Sequence, residues 1–153
     1  VLHVYVDADA CPVKDEVYRV AERYGLSVTL VANSPFRIPL HERIRLVVVG
    51  AGFDAADDWI ATNAGAGDIV ITADIPLASR CLKNGARVIG STGKPFTDAT
   101  IGQALAGREL SQHLRESGLI TGGPAPLGKQ DRSRFLQQLD QDIQAIRRAA
   151  GIR

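Results

Sequence analysis

Short apolar runs of strand length alternate along the chain with stretches in which apolar residues recur at helical spacing, the pattern of a parallel sheet covered by helices. Val1–Val6 predicts a first strand. Pro12 suits the opening turn of a helix that carries Val13, Val17, Val20 and Ala21 on one side and closes at Gly25. Leu26–Val31 predicts a second strand, followed by an irregular Asn33-Ser34-Pro35 turn, and Ile44–Val49 a third, strongly β-branched one. A helix over Asp54–Ala64 should end at Gly65-Ala66-Gly67, with Ile69–Thr72, Ile75–Asn84 and Ala86–Ile89 following as strand, helix and strand. Thr97–Glu116 reads as mostly helical, and Thr121–Gly128 as a Gly/Pro-rich loop. A last helix, Asp131–Ala150, presents Phe135, Leu136, Leu139, Ile143 and Ile146 at the spacing of a packing face. The expected architecture is an α/β single domain over residues 1–153, with a parallel or mostly parallel sheet of about five strands flanked by helices. An extra C-terminal helix, 129–150, packs on or beside it.

Composition narrows the class without choosing a partner. The 153 residues are 45% hydrophobic and 23% charged, as in a soluble globular protein, and the formal net charge is +1, so no overall bias marks a nucleic acid or a membrane. No apolar stretch is long enough to span a bilayer, and no leading segment reads as a signal peptide, which predicts a cytoplasmic protein without membrane association. Cys11 and Cys81 make neither a disulfide framework nor a zinc set. The chain holds no methionine, so the initiator lies outside it.

An open parallel sheet binds ligands beyond the carboxyl ends of its strands, where strand order reverses, so polar residues at those ends carry the chemical argument. They are Asp7 and Asp9 after the first strand, Asn33 and Ser34 after the second, Asp54, Asp57 and Asp58 after the third, and Asp74 after the fourth. Asp7 and Asp9 fall on the same side of an extended chain. Two close carboxylates raise each other's pKa unless a cation neutralises them. Asp9, Asp54 and Asp74 could each cap a helix, and what favours a site is the coincidence of acids at three strand ends on the same edge. On a helical wheel Ala55, Ala56, Trp59 and Ile60 form the buried side with the three aspartates opposite, and Asp54 and Asp58 share a face at i and i+4. Oxygen-only ligands favour Mg2+ or Mn2+, which acidify a bound water and stabilise charge on a phosphoryl group.

Gly90-Ser91-Thr92-Gly93-Lys94-Pro95 lacks the spacing of a Walker A loop, though its backbone and Lys94 are placed to meet a phosphate. Lys14, Arg37, Lys129, Arg132 and Arg134 are further cations near the proposed edge. Cys11 has no histidine placed to activate it, and Phe36 suits core packing better than base stacking.

Asp7-Ala8-Asp9-Ala10-Cys11-Pro12-Val13-Lys14, Val31-Ala32-Asn33-Ser34, Asp54-Ala55-Ala56-Asp57-Asp58-Trp59-Ile60, Asp68–Ala78, Thr92–Thr97 and Gly122-Gly123-Pro124 together closely resemble the YaiI/YqxD family of uncharacterised bacterial proteins, over nearly the whole chain to about Leu139. That family resembles a distant branch of the PIN-like and NYN nuclease folds. The resemblance implies a PIN-like sheet and metal-dependent cleavage of nucleic acid. It matches Asp7 to the first-strand acid of those nucleases, Asp54 or Asp58 to the helix acid, and Asp74, after Thr72-Ala73, to the acid ending a later strand. Pro76 and Leu77 stand where a further acid is usual, which argues against a complete two-metal site.

The expectation is a Mg2+- or Mn2+-dependent nuclease acting on RNA ahead of DNA, and the reading also allows a homo-oligomer. Asp7, Asp54, Asp58 and Asp74 would supply metal ligands, and Asp7, Asp9, Asp58 and Asp74 the catalytic carboxylates. Asn33, Ser34, Lys14, Thr72, Lys94 and Arg132 would meet substrate. One alternative is a non-catalytic module binding nucleic acid or protein on the same fold. Another is a haloacid-dehalogenase-type phosphatase with Asp7 as nucleophile and Asp9 as acid/base, which Asp74 alone serves poorly.

Overall fold

The computed structural model describes residues 2–9, 11–50, 52, 54–116 and 127–151, with side chains described outside 108–116. Val1 of the first strand and Thr121–Pro126 of the predicted loop lie outside the described residues. Six strands form one sheet: β1 (His3–Asp7), β2 (Ser27–Ala32), β3 (Ile44–Val48), β4 (Ile69–Ile71), β5 (Arg87–Ile89) and β6 (Pro95–Phe96). Their order across the sheet is β3-β2-β1-β4-β5-β6, parallel throughout except for β6, which runs antiparallel to β5. The helices are α1 (Lys14–Tyr24), α2 (Ala55–Asn63), α3 (Ile75–Lys83), α4 (Asp98–Glu116) and α5 (Lys129–Ala149).

The α/β reading and the C-terminal helix hold, with element ends shifted by a residue or two. The sixth strand departs from expectation: Pro95–Phe96 is too short to announce itself by periodicity, and its proline is tolerated because it lies at the sheet edge. The first helix opens at Lys14, not Pro12, because Cys11 N–H turns back to Ala8 C=O at 3.2 Å and the helix ladder begins at Val13 C=O. Gly25 closes that helix at φ 66°, a left-handed conformation that glycine adopts without steric penalty.

Two helical layers cover the sheet. Alternation along β1 sends Val4 and Val6 into the layer of α1 and α5, while Tyr5 packs with α2 on the other face. The apolar stripe of α5 is spent there: Phe135, Leu139 and Ile143 are buried with Val17 and Val20 of α1 and with Val13 just before it. Burying each such side chain contributes roughly 1.5–3 kcal/mol. On the opposite face Ile60 and Ala61 of α2 and Leu77, Ala78 and Cys81 of α3 pack over Val31, Val70 and Val88. The chain runs outward from β1 to β3, then returns to β4 on the other flank of β1, so strand order reverses between β1 and β4. That crevice is where an open sheet of this kind accepts ligands. Among the described residues, no helix is long and apolar enough to cross a membrane.

Candidate active site

Asp7 is the last residue of β1, and Thr72 follows β4 directly, so the parallel β1–β4 pairing brings them to the reversal point together. Thr72 Oγ1 donates to Asp7 Oδ2 at 2.8 Å and accepts from the Asp74 N–H at 3.0 Å. Asp74 Oδ1 in turn accepts from Leu77 N–H at 2.9 Å, capping α3, whose second residue is Pro76. The cap expected of Asp74 is therefore present, and its other carboxylate oxygen is not used by it. Asp9 does not cap α1: its Oδ2 accepts from Asn33 N–H at 2.9 Å and ties the loop after β1 to the end of β2. Asp7, Asp9, Cys11, Thr72, Asp74 and Ser91 line a cavity of about 200 Å³ at this edge.

The first turn of α2 sorts its three aspartates differently from the helical wheel. Asp54 is exposed at the N-cap position and makes no side-chain cap bond. Asp58 is exposed and paired with Arg80 Nη1 of α3 at 2.9 Å. Asp57 is half-buried, not opposite the buried side, because it continues the stripe of Ile60, Ala61 and Ala64 at spacings of three, four and seven. Its carboxyl is pushed up to about 6 by burial, then by the charges of Asp74, Asp7 and Asp54, against a smaller opposing effect of Arg80. Asp7 is likewise raised, by burial first and by Asp74 and Asp9, with the Thr72 hydrogen bond working the other way. Asp57 is thus the α2 acid whose carboxyl, after burial, feels the charges of Asp74 and Asp7. Asp57, one of the strand-end acids of the sequence, and Ser91, in its Gly-rich loop, were not among the ligands and substrate contacts expected from it.

The remaining candidates fall around this centre. Lys14 Nζ donates to Cys11 C=O at 3.2 Å and lies 5.0 Å from the centroid of the Phe36 ring, which packs against the core. Arg132 Nη1 is engaged by Pro12 C=O and Glu16 Oε1, both at 2.8 Å. Asn33, Ser34 and Lys94 are exposed. Burial raises the Cys11 thiol, which leaves it protonated and poorly nucleophilic near neutral pH.

Among the described residues, no three His, Cys, Asp or Glu side chains stand close enough to form a ready-made metal cage. The donor set is nonetheless of the kind a hard cation takes. Asp7, Asp9 and Asp74 each commit one carboxylate oxygen to a named hydrogen bond, and Asp7 and Asp57 are raised first by burial and then by the neighbouring carboxylates. Mg2+ keeps several waters and is commonly held by one or two carboxylates plus substrate phosphate, so a complete protein cage is not required for it.

Comparison with known proteins gives a family without an activity. Residues 5–145 match the model of a family described as uncharacterised, the YaiI/YqxD family. The chain is similar to a UPF0178 protein of Nitrobacter winogradskyi, 60% identical over 152 residues that cover 99% of this chain and 97% of the relative. It is similar to a UPF0178 protein of Rhodospirillum rubrum, 55% identical over 148 residues covering 96% and 99% of the two chains. A UPF0178 protein of Rhodospirillum centenum is 58% identical over 151 residues, covering 96% and 98%.

Proposed function

The chain belongs to the YaiI/YqxD family, and from that premise we propose that it is a divalent-metal-dependent phosphodiesterase that cleaves nucleic acid, RNA ahead of DNA. The observation that carries this reading is the pair of carboxylates Asp7 and Asp74, joined through the Thr72 hydroxyl at the strand-order reversal and lining one cavity with Asp9. Asp7, Asp57 and Asp74 would hold Mg2+ or Mn2+, with Asp9 beside them. When bound, such a cation supplies an acidified water and charge stabilisation at the phosphoryl oxygens.

The chain's own residues do the positioning. Thr72 holds Asp7 by its hydroxyl hydrogen and fixes the Asp74 backbone through its hydroxyl oxygen, so one side chain sets the relation between two carboxylates. The Asp9–Asn33 bond fixes the neighbouring wall. Arg80 pairs with Asp58 at 2.9 Å, while the half-buried Asp57 is the acid of α2 whose carboxyl feels the charges of Asp74 and Asp7.

The test is thermal melting with and without Mn2+, followed by cleavage of labelled RNA and DNA. Saturation at a hundred times the dissociation constant adds roughly 2.7 kcal/mol, a rise on the order of 5–10 °C at this length. The rise and the cleavage should vanish in Asp7→Asn, Asp57→Asn and Asp74→Asn. No rise and no cleavage in the wild type would leave a binding module, and a trapped aspartyl-phosphate on Asp7 would leave a phosphatase.

A further inference from the structure

The cations around the cavity are distributed unevenly. On the α2 side Asp54 and Asp58 are exposed and the nearby Arg80 is paired with Asp58. On the α1–α5 side Lys14, Lys129, Arg132 and Arg134 stand among Asp15, Glu16 and Asp131. Lys14 stands beside the cavity residue Cys11, bonded to its carbonyl. Arg132 reaches Pro12 C=O from α5 and so fastens the start of α5 to the same loop. The Gly90–Lys94 loop joins the two: Ser91 lines the carboxylate cavity, while a Cβ on Gly93 would lie 2.6 Å from the Arg134 carbonyl carbon, so loop and helix are in backbone contact there. Beyond that contact lies an open second recess of about 410 Å³, lined by Lys129, Gln130, Ser133 and Arg134. Arg134 is paired with Asp131 and Arg132 with Glu16, but among the described residues the exposed Lys94 and Lys129 have no acidic partner.

We infer that this surface, from Lys14 across Lys94 to Lys129 and Arg134, is the track of a nucleic-acid phosphate backbone. The substrate is therefore an oligonucleotide of several phosphates, not a mononucleotide or a phosphomonoester. The inference rests on the phosphodiesterase reading and deepens it. A near-neutral protein whose reactive edge is acidic repels a polyanion there, so productive binding needs positive charge just outside the edge. The uncommitted lysines supply it on one side only, which sets the direction from which the strand arrives. Ser91, Ser133 and Gln130 add neutral hydrogen-bond donors of the kind that fix phosphate register.

The experiment measures binding of a fluorescent oligouridylate of about 12 nucleotides in EDTA, by anisotropy over a range of salt, beside competition by uridine monophosphate. Lys94→Glu/Lys129→Glu is compared with a charge-matched control at the far ends of α3 and α5, Lys83→Glu/Arg148→Glu. The track predicts that the first pair weakens binding roughly tenfold or more and flattens the salt slope by about 0.7 for each lost phosphate contact, with melting temperature retained and the control near wild type. Equal loss in both pairs, no loss in either, or a mononucleotide that competes as well as the oligonucleotide would overturn it. The Mn2+ melting shift is read in parallel: if it is missing while the oligonucleotide results stand, the track is supported and the metal reading falls.

Discussion

Thr72 Oγ1 donates to Asp7 Oδ2 at 2.8 Å across 65 residues of sequence, and the same hydroxyl accepts from the Asp74 N–H at 3.0 Å. A single buried hydroxyl therefore orients one carboxylate and anchors the turn that carries another.

Thr72→Val keeps the shape and removes both bonds. It should lower stability by about 1–3 kcal/mol, the range for stranding buried polar groups, whereas Thr72→Ser should stay close to wild type. Because the Thr72 bond holds the Asp7 carboxyl down, the valine variant should also need a higher pH to bind Mn2+. Thermal melting and manganese titration at several pH values check both statements, and a valine variant that binds Mn2+ like the wild type at every pH would remove Thr72 from the site.

The raised Asp57 carboxyl gives a second prediction with a definite sign. Its folded value of about 6 exceeds the ordinary carboxylate value, so between about pH 4 and 6 the folded state binds more protons than the unfolded one. Metal-free stability should fall as pH rises through that window and stay lower above it. Asp57→Asn should flatten this slope and, at pH 8, be more stable than wild type. Asp57 is half-exposed and screened by water, so about 1 kcal/mol is expected. Saturating Mn2+ should reverse the order of the two proteins. Melting curves across pH decide it.

Gly93 sits at φ 85° with the Arg134 backbone where a Cβ would go. Gly93→Ala should cost about 2–4 kcal/mol, from the left-handed conformation and from displacing α5. Gly102, inside α4 with open space around it, offers the opposite case: Gly102→Ala should gain about 0.5–1 kcal/mol. Denaturant midpoints on the two variants should move in opposite directions.

Phe135→Ala should cost about 3–5 kcal/mol, because the ring is fully buried between α5 and α1. Leu40→Ser, at a fully exposed apolar residue, should lie within about 0.5 kcal/mol of wild type. Equal effects would mean that α5 does not share the core.

Arg132 tests whether a cation near the site is structural. Glu16 is buried, its Oε1 is held by Arg132 and its Oε2 has no partner among the described residues. Arg132→Met should cost about 1–3 kcal/mol, and adding Glu16→Gln should recover part of it. A fully stable Arg132→Met would return this guanidinium to the list of substrate contacts.

Much of the architecture was legible because its signals are local. Apolar runs at β1, β2, β4 and β5 are continuous or alternating, Gly25 ends α1, and the stripe from Phe135 to Ile146 can belong only to a packed helix. The acids at the strand ends were legible for the same reason: a parallel sheet puts every such end on one edge, so their common location followed from the alternation of strands and helices. The resemblance to a family added the expectation of metal-dependent cleavage, and the comparisons show the family alone.

What sequence order leaves undecided is which atoms meet, and here the tertiary structure chose. Asp54, Asp57 and Asp58 differ little as letters, but Arg80, 22 residues on, takes Asp58, while the stripe of Ile60 and Ala61 turns Asp57 inward. Thr72 meets Asp7 only because β4 pairs with β1 and not with β3, a long-range choice that no window of sequence contains. Ser91 joins the cavity because a two-residue strand and a glycine without a Cβ let its loop lie against α5. Local periodicity thus determined the elements and the edge. Strand order, one ion pair and close backbone contact decided which side chains share that edge, because each depends on distances between residues far apart in the chain.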